Sequence, residues 1–338
     1  MVYKLDGGTV IDAEGNLVVE NLYVDTDSVT PVTNATSGSV SAYVSGGIFS
    51  PPTQRLNTID KFPFATDANA TDVGDLIYTR VEHSGHFSTT HAYAAGGISP
   101  NSPASKPSID RWPFASDENA VDYGDLHLGM SSAYGGLSSE TDGYITGGSA
   151  ASPPYSNRDV IQKFPFVSTG SEADVGDLTQ GRQSISNQNS GTFGYISGGH
   201  ITPSANNHQN IIEKFPFASG GNASDVGDLT AVKGMAAGNQ SLTHGYVLGG
   251  NTDGPSNINV IEKFPFSTDA NGADVGDLIQ NREHLAGASS SSSGYGSGGR
   301  LSSIYKNEIQ KHPFAADANA SDIADLTQAR NESAGHQV

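Results

Sequence analysis

The hexapeptide IEKFPF at Ile212–Phe217 returns at Ile261–Phe266, and four close variants of it occur elsewhere in the chain. The variants are IDKFPF from Ile59, IDRWPF from Ile109, IQKFPF from Ile161 and IQKHPF from Ile309. Successive prolines of the six copies are 48 to 52 residues apart, which indicates an internal repeat. The two aromatic residues of each copy are two positions apart, so in a strand they share one face.

Two further motifs follow the same period. A glycine pair with a tyrosine three residues before it begins at Gly46, Gly96, Gly147, Gly198, Gly249 and Gly298. The pentapeptide DVGDL or a near copy ends at Leu76, Leu126, Leu178, Leu229, Leu278 and Leu326. With the segment before each tyrosine, every unit contains four short stretches typical of strands. Four short strands per unit predict an all-β chain that forms a six-bladed β-propeller.

The order of these motifs resembles the kelch repeat. A basic residue precedes the first strand, an aromatic residue and Gly-Gly mark the second, and packed aromatic residues lie near the third and fourth. The resemblance covers residues 36–338 and departs from the family pattern in its tryptophan, since Trp112 is the only one in the chain. It implies a kelch-like six-bladed propeller. The repeated KFPF and DVGDL array is also similar to arrays in tail, fibre and virion proteins of marine bacteriophages.

The spacing of the basic residues predicts how the ring closes. Arg80, Arg182 and Arg282 each precede the first glycine of a pair by 16 residues. Arg330 is followed by only 8 residues, and 8 residues before Gly46 the chain is at Gly38. We therefore expect the N- and C-terminal strands to make one blade together, with the strand around Gly38–Gly47 either completing the blade that starts near Ile304 or shared with it. Closure removes an exposed sheet edge.

The first 35 residues lie outside the repeat. Alternating apolar residues on both sides of Glu14, Gly15 and Asn16 predict two strands around a turn. The segment is similar to the leader segments of phage fibre and tail proteins, which implies an attachment to other virion proteins. The alternative is a hairpin that packs on the propeller. We assign residues 1–35 to an attachment segment and residues 36–338 to the propeller.

Composition restricts the partners. The chain has 338 residues and a net charge of −19, and it contains no basic patch of the kind that nucleic acid or an anionic membrane requires. No stretch has the length and apolarity of a membrane span, and the first residues lack the apolar segment of a signal peptide. The absence of cysteine excludes disulfides and fits assembly in a reducing host cytoplasm.

One repeated run offers oxygen ligands. Asp67, Asn69, Asp72 and Asp75 have the short spacing of a calcium loop, and three other units repeat it. Two units lack the first aspartate, and no late bidentate glutamate follows. We therefore expect these side chains to form turns, with Ca²⁺ as the alternative and no other cofactor. We also expect the aspartate before each DVGDL leucine either to hold the start of its strand or to pair with the basic residue of the array.

Catalytic and metal-binding patterns are not found in the sequence. His83, His86 and His91 are close in the chain, but His86 falls on the opposite face of a strand from the other two. No nucleophile elbow, phosphate loop or repeated carboxylate pair occurs. We therefore expect no metal site and no enzymatic activity, although a propeller that cleaves glycans would have carboxylates converging at the axis.

The loops after the glycine pairs differ between units, whereas the turns before DVGDL are nearly uniform. Successive loops of a blade alternate between the two faces, so one face is predicted to be varied and the other uniform and acidic. Varied loops on a rigid scaffold suit binding. The candidate binding residues on the varied loops are Arg55, Lys106, Tyr155, Arg158, His200, His208, Arg300 and Tyr305.

The resulting expectation is a non-enzymatic protein of a phage tail or fibre. It would bind a glycan or protein on the host surface through the varied loops and would form a homo-oligomer within the particle. The alternative is a structural decoration or adaptor protein that contacts only other virion proteins.

Overall fold

The computed structural model describes residues 10–11, 17–18, 38–99, 107–150, 156–169, 172–203, 207–254 and 257–338. The chain divides into two compact units, Met1–Asn34 and Ala35–Val338. In the first unit, Val10–Ile11 and Leu17–Val18 pair antiparallel, as the alternating sequence predicts. The predicted turn at residues 14–16 lies outside the described residues.

The described residues between 38 and 338 form six antiparallel sheets of four strands each, which confirms the six-bladed propeller. From the axis outward, blade 1 consists of Ala334–Gln337, Ser41–Ser45, Thr58–Pro63 and Thr71–Asp75. In the same direction, blade 2 consists of Ser84–Phe87, His91–Ala95, Ser108–Pro113 and Val121–Asp125. Blade 3 consists of Leu137–Ser138, Asp142–Thr146, Val160–Pro165 and Ala173–Asp177.

The other three blades repeat this order. Blade 4 consists of Ser186–Asn189, Phe193–Ser197, Gln209–Pro216 and Ser224–Lys233. Blade 5 consists of Ala237–Gln240, His244–Leu248, Val260–Pro265 and Ala273–Asp277. Blade 6 consists of Ala286–Ser289, Ser293–Ser297, Glu308–Pro313 and Ser321–Asp325. Short two-stranded ladders join Ile48–Phe49 to Gln54–Arg55, Met130–Ser131 to Ser149–Ala150, and Arg300–Leu301 to Ile304–Tyr305.

The two ends of the propeller meet in blade 1. The last strand, Ala334–Gln337, pairs antiparallel with Ser41–Ser45, and Tyr43 lies opposite His336. The expectation that the ends share a blade is therefore confirmed, but the expectation that this blade contains Ile304 is wrong. Blade 6 has four strands of its own, and only blade 1 lacks an inner strand from its own stretch of the chain.

The aromatic residues of each hexapeptide pack against the tyrosine of the preceding blade. In one interface the ring centroid of Tyr144 lies 5.4 Å from that of Phe215 and 4.9 Å from that of Phe217. The closing interface repeats this contact, with Tyr295 at 5.6 Å from Phe62 and 4.9 Å from Phe64. Each blade therefore supplies half of an apolar layer that only a neighbour can complete, which explains why the hexapeptide is repeated.

The proline of the hexapeptide ends the third strand of its blade, so it does not lie on an edge strand. Pro216 is opposite Phe193 on the inner side, whereas the pairing with the outer strand stops at Lys214, opposite Ser224. The Phe217 N–H donates to Thr192 O on the inner side. Because successive amides alternate in direction, the proline nitrogen faces a side without a partner strand, and the missing N–H costs no hydrogen bond.

Candidate functional site

Two sets of loops share one face of the propeller. The residue after each glycine pair forms a backbone bridge to the residue that follows the basic position of the same blade. Ile98 pairs with Val81, His200 with Gln183, and Arg300 with Glu283. The varied loops therefore lie beside the connections that lead into the inner strands. We call this side the varied-loop face and the opposite side, which carries the Asp/Asn turns, the uniform face.

A ring of six residues surrounds the axis on the varied-loop face. Five members lie two residues before the inner strand of their blade, and Ser132 lies five residues before it. All six have a left-handed backbone, with φ between 55° and 59°. Neighbouring members are joined by backbone hydrogen bonds, for example Met235 N to Ser184 O at 2.8 Å and His284 N to Met235 O at 2.8 Å. We call this ring the axial rim; its members are Glu82, Ser132, Ser184, Met235, His284 and Glu332.

The axial rim combines a uniform backbone with different side chains. A left-handed backbone at a residue other than glycine costs about 1–3 kcal/mol and is often found at functional sites. Since the six positions are equivalent, the fold requires the conformation but not the carboxylate, hydroxyl, thioether or imidazole that each position bears. These side chains are therefore free to carry chemistry specific to this protein.

Blade 3 contributes one additional residue at the rim. Gly136 lies six positions after Met130, whereas Gly85 of blade 2 lies five positions after Arg80. The additional residue is Tyr134, whose ring centroid lies 4.9 Å from that of His284 on the opposite blade. Tyr134 therefore reaches across the axis.

Carboxylates from neighbouring blades converge beside Tyr134. Glu82 N donates to Glu332 O at 3.2 Å, and the Ser132 hydroxyl donates to Glu82 Oε2 at 2.8 Å. Burial and the charge of Glu82 raise the pKa of Glu332 to about 7, although Arg300 and Arg55 act in the opposite direction. Burial, together with Glu82 and Glu332, raises the pKa of Tyr134 well above its usual value. The rim thus holds two close carboxyl groups with incomplete compensation of their charge.

Loop residues form a second layer around the rim. Arg300 Nε donates to Glu283 Oε1 at 2.6 Å, and Asn251 Nδ2 donates to Glu283 Oε2 at 2.8 Å. Glu283 precedes His284 of the rim. The carboxylate of Glu283 therefore forms an ion pair with Arg300 of a loop. Among the described residues, the carboxylates of Glu82 and Glu332 have no such ion pair.

Below the rim, the inner strands leave a narrow cavity along the axis. Tyr134, Asn187, Asn189, Gln240 and Gln337 line it, together with glycines of the inner strands. Two of these polar side chains accept backbone hydrogen bonds from neighbouring strands, from Ser138 N to Asn189 Oδ1 at 3.0 Å and from Ser289 N to Gln337 Oε1 at 2.6 Å. Polar side chains that line the cavity therefore form hydrogen bonds between neighbouring blades.

The candidate binding residues of the varied loops do not converge on one point. Arg55 and Arg300 lie near Glu332, and Arg300 pairs through its backbone with Tyr305. His200 and His208 form a separate contact with ring centroids 5.0 Å apart, and His208 Nδ1 lies 2.8 Å from Asp253 Oδ1. Arg158 is half-buried and contacts neither group through a described hydrogen bond. Lys106 and Tyr155 lie outside the described residues.

Histidines near the axis have structural partners. His336 Nε2 and His83 Nε2 hydrogen-bond with Ser45 Oγ at 2.8 and 3.1 Å, and His86 Nδ1 hydrogen-bonds with Leu137 O at 3.0 Å. Burial lowers the pKa of His86 to about 4 and that of His336 to about 3. Over the part of the chain that the structure describes, no group of three or more potential metal-ligating side chains occurs.

The Asp/Asn turns of the uniform face join neighbouring blades. The Lys61 ammonium donates to Asp117 Oδ1 at 2.9 Å, and the Asp75 amide donates to Asn119 Oδ1 at 3.0 Å. Within the outer strand Thr71–Asp75, Asp72 Oδ1 accepts from Gly74 N at 3.2 Å, so this local side-chain bond lies in a strand rather than in a turn. Oxygens of Asp72, Asp117 and Asn119, which were considered for calcium, are thus hydrogen-bonded within the protein.

In four of the six units, the basic residue pairs with an acid of the hexapeptide that sequence reasoning missed. The expected partner was the aspartate before the DVGDL leucine, which is wrong. The partner in these units is the second residue of the hexapeptide, as in Arg80 with Asp110 at 2.5 Å and Arg182 with Glu213 at 2.6 Å. Arg282 instead pairs with Glu308, directly before the hexapeptide, at 3.3 Å. A partial signal was present in the sequence, because the unit with Met130 at the basic position has Gln162 at the acidic one, although Gln310 occurs in the unit of Arg282.

The axial rim was also missed. Its members have no common residue type, so a search for repeated motifs does not detect them. Their spacing from the basic residue is constant, and the additional residue Tyr134 is visible as a break in that spacing.

No known protein-family model matches this chain, and none of the curated proteins resembles it in sequence. Within the described ranges, no helix could cross a membrane.

Proposed function

We propose that this chain is a non-enzymatic binding protein of a bacteriophage tail or fibre, which contacts the host surface through its varied-loop face. The observation that carries the proposal is the axial rim, where equivalent positions of a rigid ring bear different polar side chains. A fixed scaffold with varied residues at one end is the usual arrangement of a recognition surface. The loops with Arg55, Arg300 and Tyr305 extend this surface outward from the rim.

The phage context and the kelch-like relationship rest on the repeat style and on the leader-like N-terminal segment. In this proposal residues 1–35 dock to other virion proteins, and several copies assemble on the particle. The high net negative charge is compatible with this role and disfavours direct binding to nucleic acid or to anionic lipid.

Electron microscopy of particles of the virus that encodes this chain tests the proposal. Antibody fragments against the propeller locate the chain, and a map that resolves the blades gives its orientation. The proposal predicts a distal propeller with the varied-loop face outward. If these loops are buried against other virion proteins, a decoration or adaptor role replaces host recognition, and if no particle contains the chain, the virion role is wrong.

A second candidate function is glycan cleavage. Glu332, with its pKa raised to about 7, lies beside Glu82, and carboxyl groups with unequal environments are what glycoside hydrolysis uses. Release of reducing ends from bacterial surface polysaccharides by the full chain, and its loss in Glu332→Gln, would support this candidate over the non-enzymatic one.

A further inference from the structure

We infer that the axial rim is a binding site for an amino sugar with a free ammonium group, held between Glu82 and Glu332. The inference rests on the proposed function, because it names the class of surface receptor that the varied-loop face takes. Three observations carry it: an excess of negative charge, a buried imidazole without partners and an aromatic ring at the axis.

The excess of charge is local to the rim. Among the described residues, neither Glu82 nor Glu332 has a lysine, arginine or histidine nitrogen within 4.0 Å, whereas Glu283 holds Arg300. The hydroxyl of Ser132 donates to Glu82 Oε2, and a side-chain hydrogen bond also joins Glu82 to Tyr134. Both partners are uncharged hydroxyl groups, so neither supplies a positive charge. Burial and the charge of Glu82 raise the pKa of Glu332 to about 7, so Arg300 and Arg55 supply only part of the counter-charge. A cationic ligand would supply the rest of this counter-charge.

The imidazole of His284 is an independent sign of a ligand. Its residue is 6% exposed, and within the described structure neither ring nitrogen has a hydrogen-bond partner. Its Nδ1 lies 4.0 Å from Glu283 Oε1, which is too far for a hydrogen bond. Burial lowers the pKa of His284 to about 4, so at neutral pH the ring is uncharged and one nitrogen can accept. A buried polar group without a hydrogen bond lowers the stability of the fold, and a ligand that forms this hydrogen bond removes the cost.

The occupant must therefore bring several donors and a positive charge. An amino sugar has an ammonium group for the two carboxylates and hydroxyl groups for His284 and the remaining oxygens. Its C–H face can pack on Tyr134, which lies across the axis 4.9 Å from His284. A lysine side chain supplies the charge but only one donor group, and a neutral sugar supplies hydroxyls but leaves the charge uncompensated.

Calorimetric titration of the full chain tests the inference. Glucosamine is compared at neutral pH with N-acetylglucosamine, which has the same ring without the charge, and with Nα-acetyl-lysine amide, which has the charge without the ring. Glucosamine is expected to bind and the other two to bind at least roughly tenfold more weakly. Equal affinity for the two sugars, preference for the lysine amide, or no glucosamine binding overturns the inference.

Variants locate the site. Glu82→Gln and Glu332→Gln each keep the size of the side chain and should weaken glucosamine binding roughly tenfold. The control Glu140→Gln removes one charge from an exposed turn of the uniform face and should leave affinity unchanged. The imidazole C–H signal of His284, assigned with His284→Asn, should shift on addition of glucosamine, which gives a readout even if a glutamate variant folds poorly. Unchanged affinity in both glutamate variants, or an unmoved His284 signal, overturns the inference.

The inference and the proposed function can fail separately. If glucosamine binds at the rim but the chain is absent from virus particles, the host-recognition role fails and the ligand site stands. If the chain adsorbs to bacteria and glucosamine neither binds nor competes, recognition stands and the amino-sugar site is wrong.

Discussion

A buried ion pair joins the connection between two blades to the second of these blades. The side chains of Arg182 and Glu213 are both fully buried, and their nitrogen and oxygen are 2.6 Å apart. Glu213 also accepts from the Thr179 amide at 2.9 Å. In blade 3 the same place is taken by Met130, and Gln162 accepts from the Leu128 amide at 2.7 Å. The hydrogen bond from the connection to the hexapeptide side chain therefore occurs in both blades. The ion pair occurs only in blade 4, because in blade 3 both of its members are replaced by uncharged residues.

This pairing predicts a rescue. Glu213→Gln alone leaves the Arg182 charge buried without its partner and should lower the free energy of unfolding by about 3–5 kcal/mol. The double variant Arg182→Met, Glu213→Gln copies blade 3 and should recover most of that loss. Urea unfolding measures both. A double variant as unstable as the single one would show that the pair is not an independent unit.

His312 provides a pH prediction at the residue scale. It replaces a phenylalanine of the hexapeptide, and burial lowers its pKa to about 4 from the usual 6.5. The unfolded chain therefore binds a proton first, so the contribution of neutral His312 is complete above pH 6.5 and is lost as the pH falls towards 4. In His312→Phe the free energy of unfolding should depend on pH less steeply in this window, by about 1.4 kcal/mol per pH unit.

Urea midpoints at several pH values measure this slope. His86, His284 and His336 act with the same sign, because burial lowers their pKa values too. Glu332 acts with the opposite sign, since its pKa is raised to about 7. These groups are present in both proteins, so only the difference between the two curves is attributed to His312, and parallel curves would contradict the assignment.

At the scale of elements, the inner strands depend on glycine where they approach one another. A Cβ on Gly238 would lie 2.0 Å from Asn187 O, and one on Gly335 would lie 2.0 Å from Gly287 O. The exception is Asn187, which has a side chain at the equivalent position and faces Gly135 of blade 3. Close contact at the axis thus requires a glycine on at least one side.

Gly238→Ala should consequently destabilise the propeller by about 1–3 kcal/mol, because the neighbouring backbone must move. The matched control is Gly296→Ala in the second strand of blade 6, where the nearest atom to a new Cβ is the end of the Leu285 side chain at 3.1 Å. Thermal unfolding of the two variants separates the effects. Equal losses would mean that the inner strands can separate more easily than the geometry indicates.

The turns of the uniform face give a prediction about calcium. Asp117 and Asn119 already bind Lys61 and the Asp75 amide of the preceding blade, so calcium would have to displace protein contacts. We expect the same melting temperature in calcium chloride and in EGTA. A melting temperature that rises with calcium, and no longer does so in Asp117→Asn, would identify these turns as a calcium site.

For the whole molecule, ring closure depends on the last eight residues. Ala334–Gln337 covers the edge of Ser41–Ser45, and His336 contacts the Trp112 ring with centroids 4.7 Å apart. A chain that ends at Arg330 should lose its cooperative unfolding transition or associate through the open edge. Light scattering and thermal unfolding measure this, and co-expression of the missing segment should restore the monomeric fold. A stable, monomeric truncated chain would contradict closure by this strand.

The sequence predicts the repeated parts of the molecule better than its site. The hexapeptide and the glycine pair occur six times because every blade packs in the same way. The number of blades, the aromatic residues between them and the sharing of one blade by the two ends therefore follow from the spacing of these motifs. Glu82, Tyr134 and His284 are unrelated in type and come together only when the ring places opposite blades across one axis. Placing Arg330 in the blade of Ser41 rather than that of Ile304 likewise required the pairing of strands, which spacing alone left open.

Recognition through the varied-loop face is tested most directly by single-cysteine labelling, since the chain has no cysteine of its own. Ser303→Cys lies in an exposed turn of the varied-loop face and Ala115→Cys in an exposed turn of the uniform face. Each is coupled to a bulky maleimide, and binding of the full chain is measured on the bacteria that the proposed phage role makes its hosts. We expect the label at position 303 to abolish binding and the label at position 115 to leave it unchanged. Loss of binding only with the label at position 115 would contradict recognition through the varied-loop face.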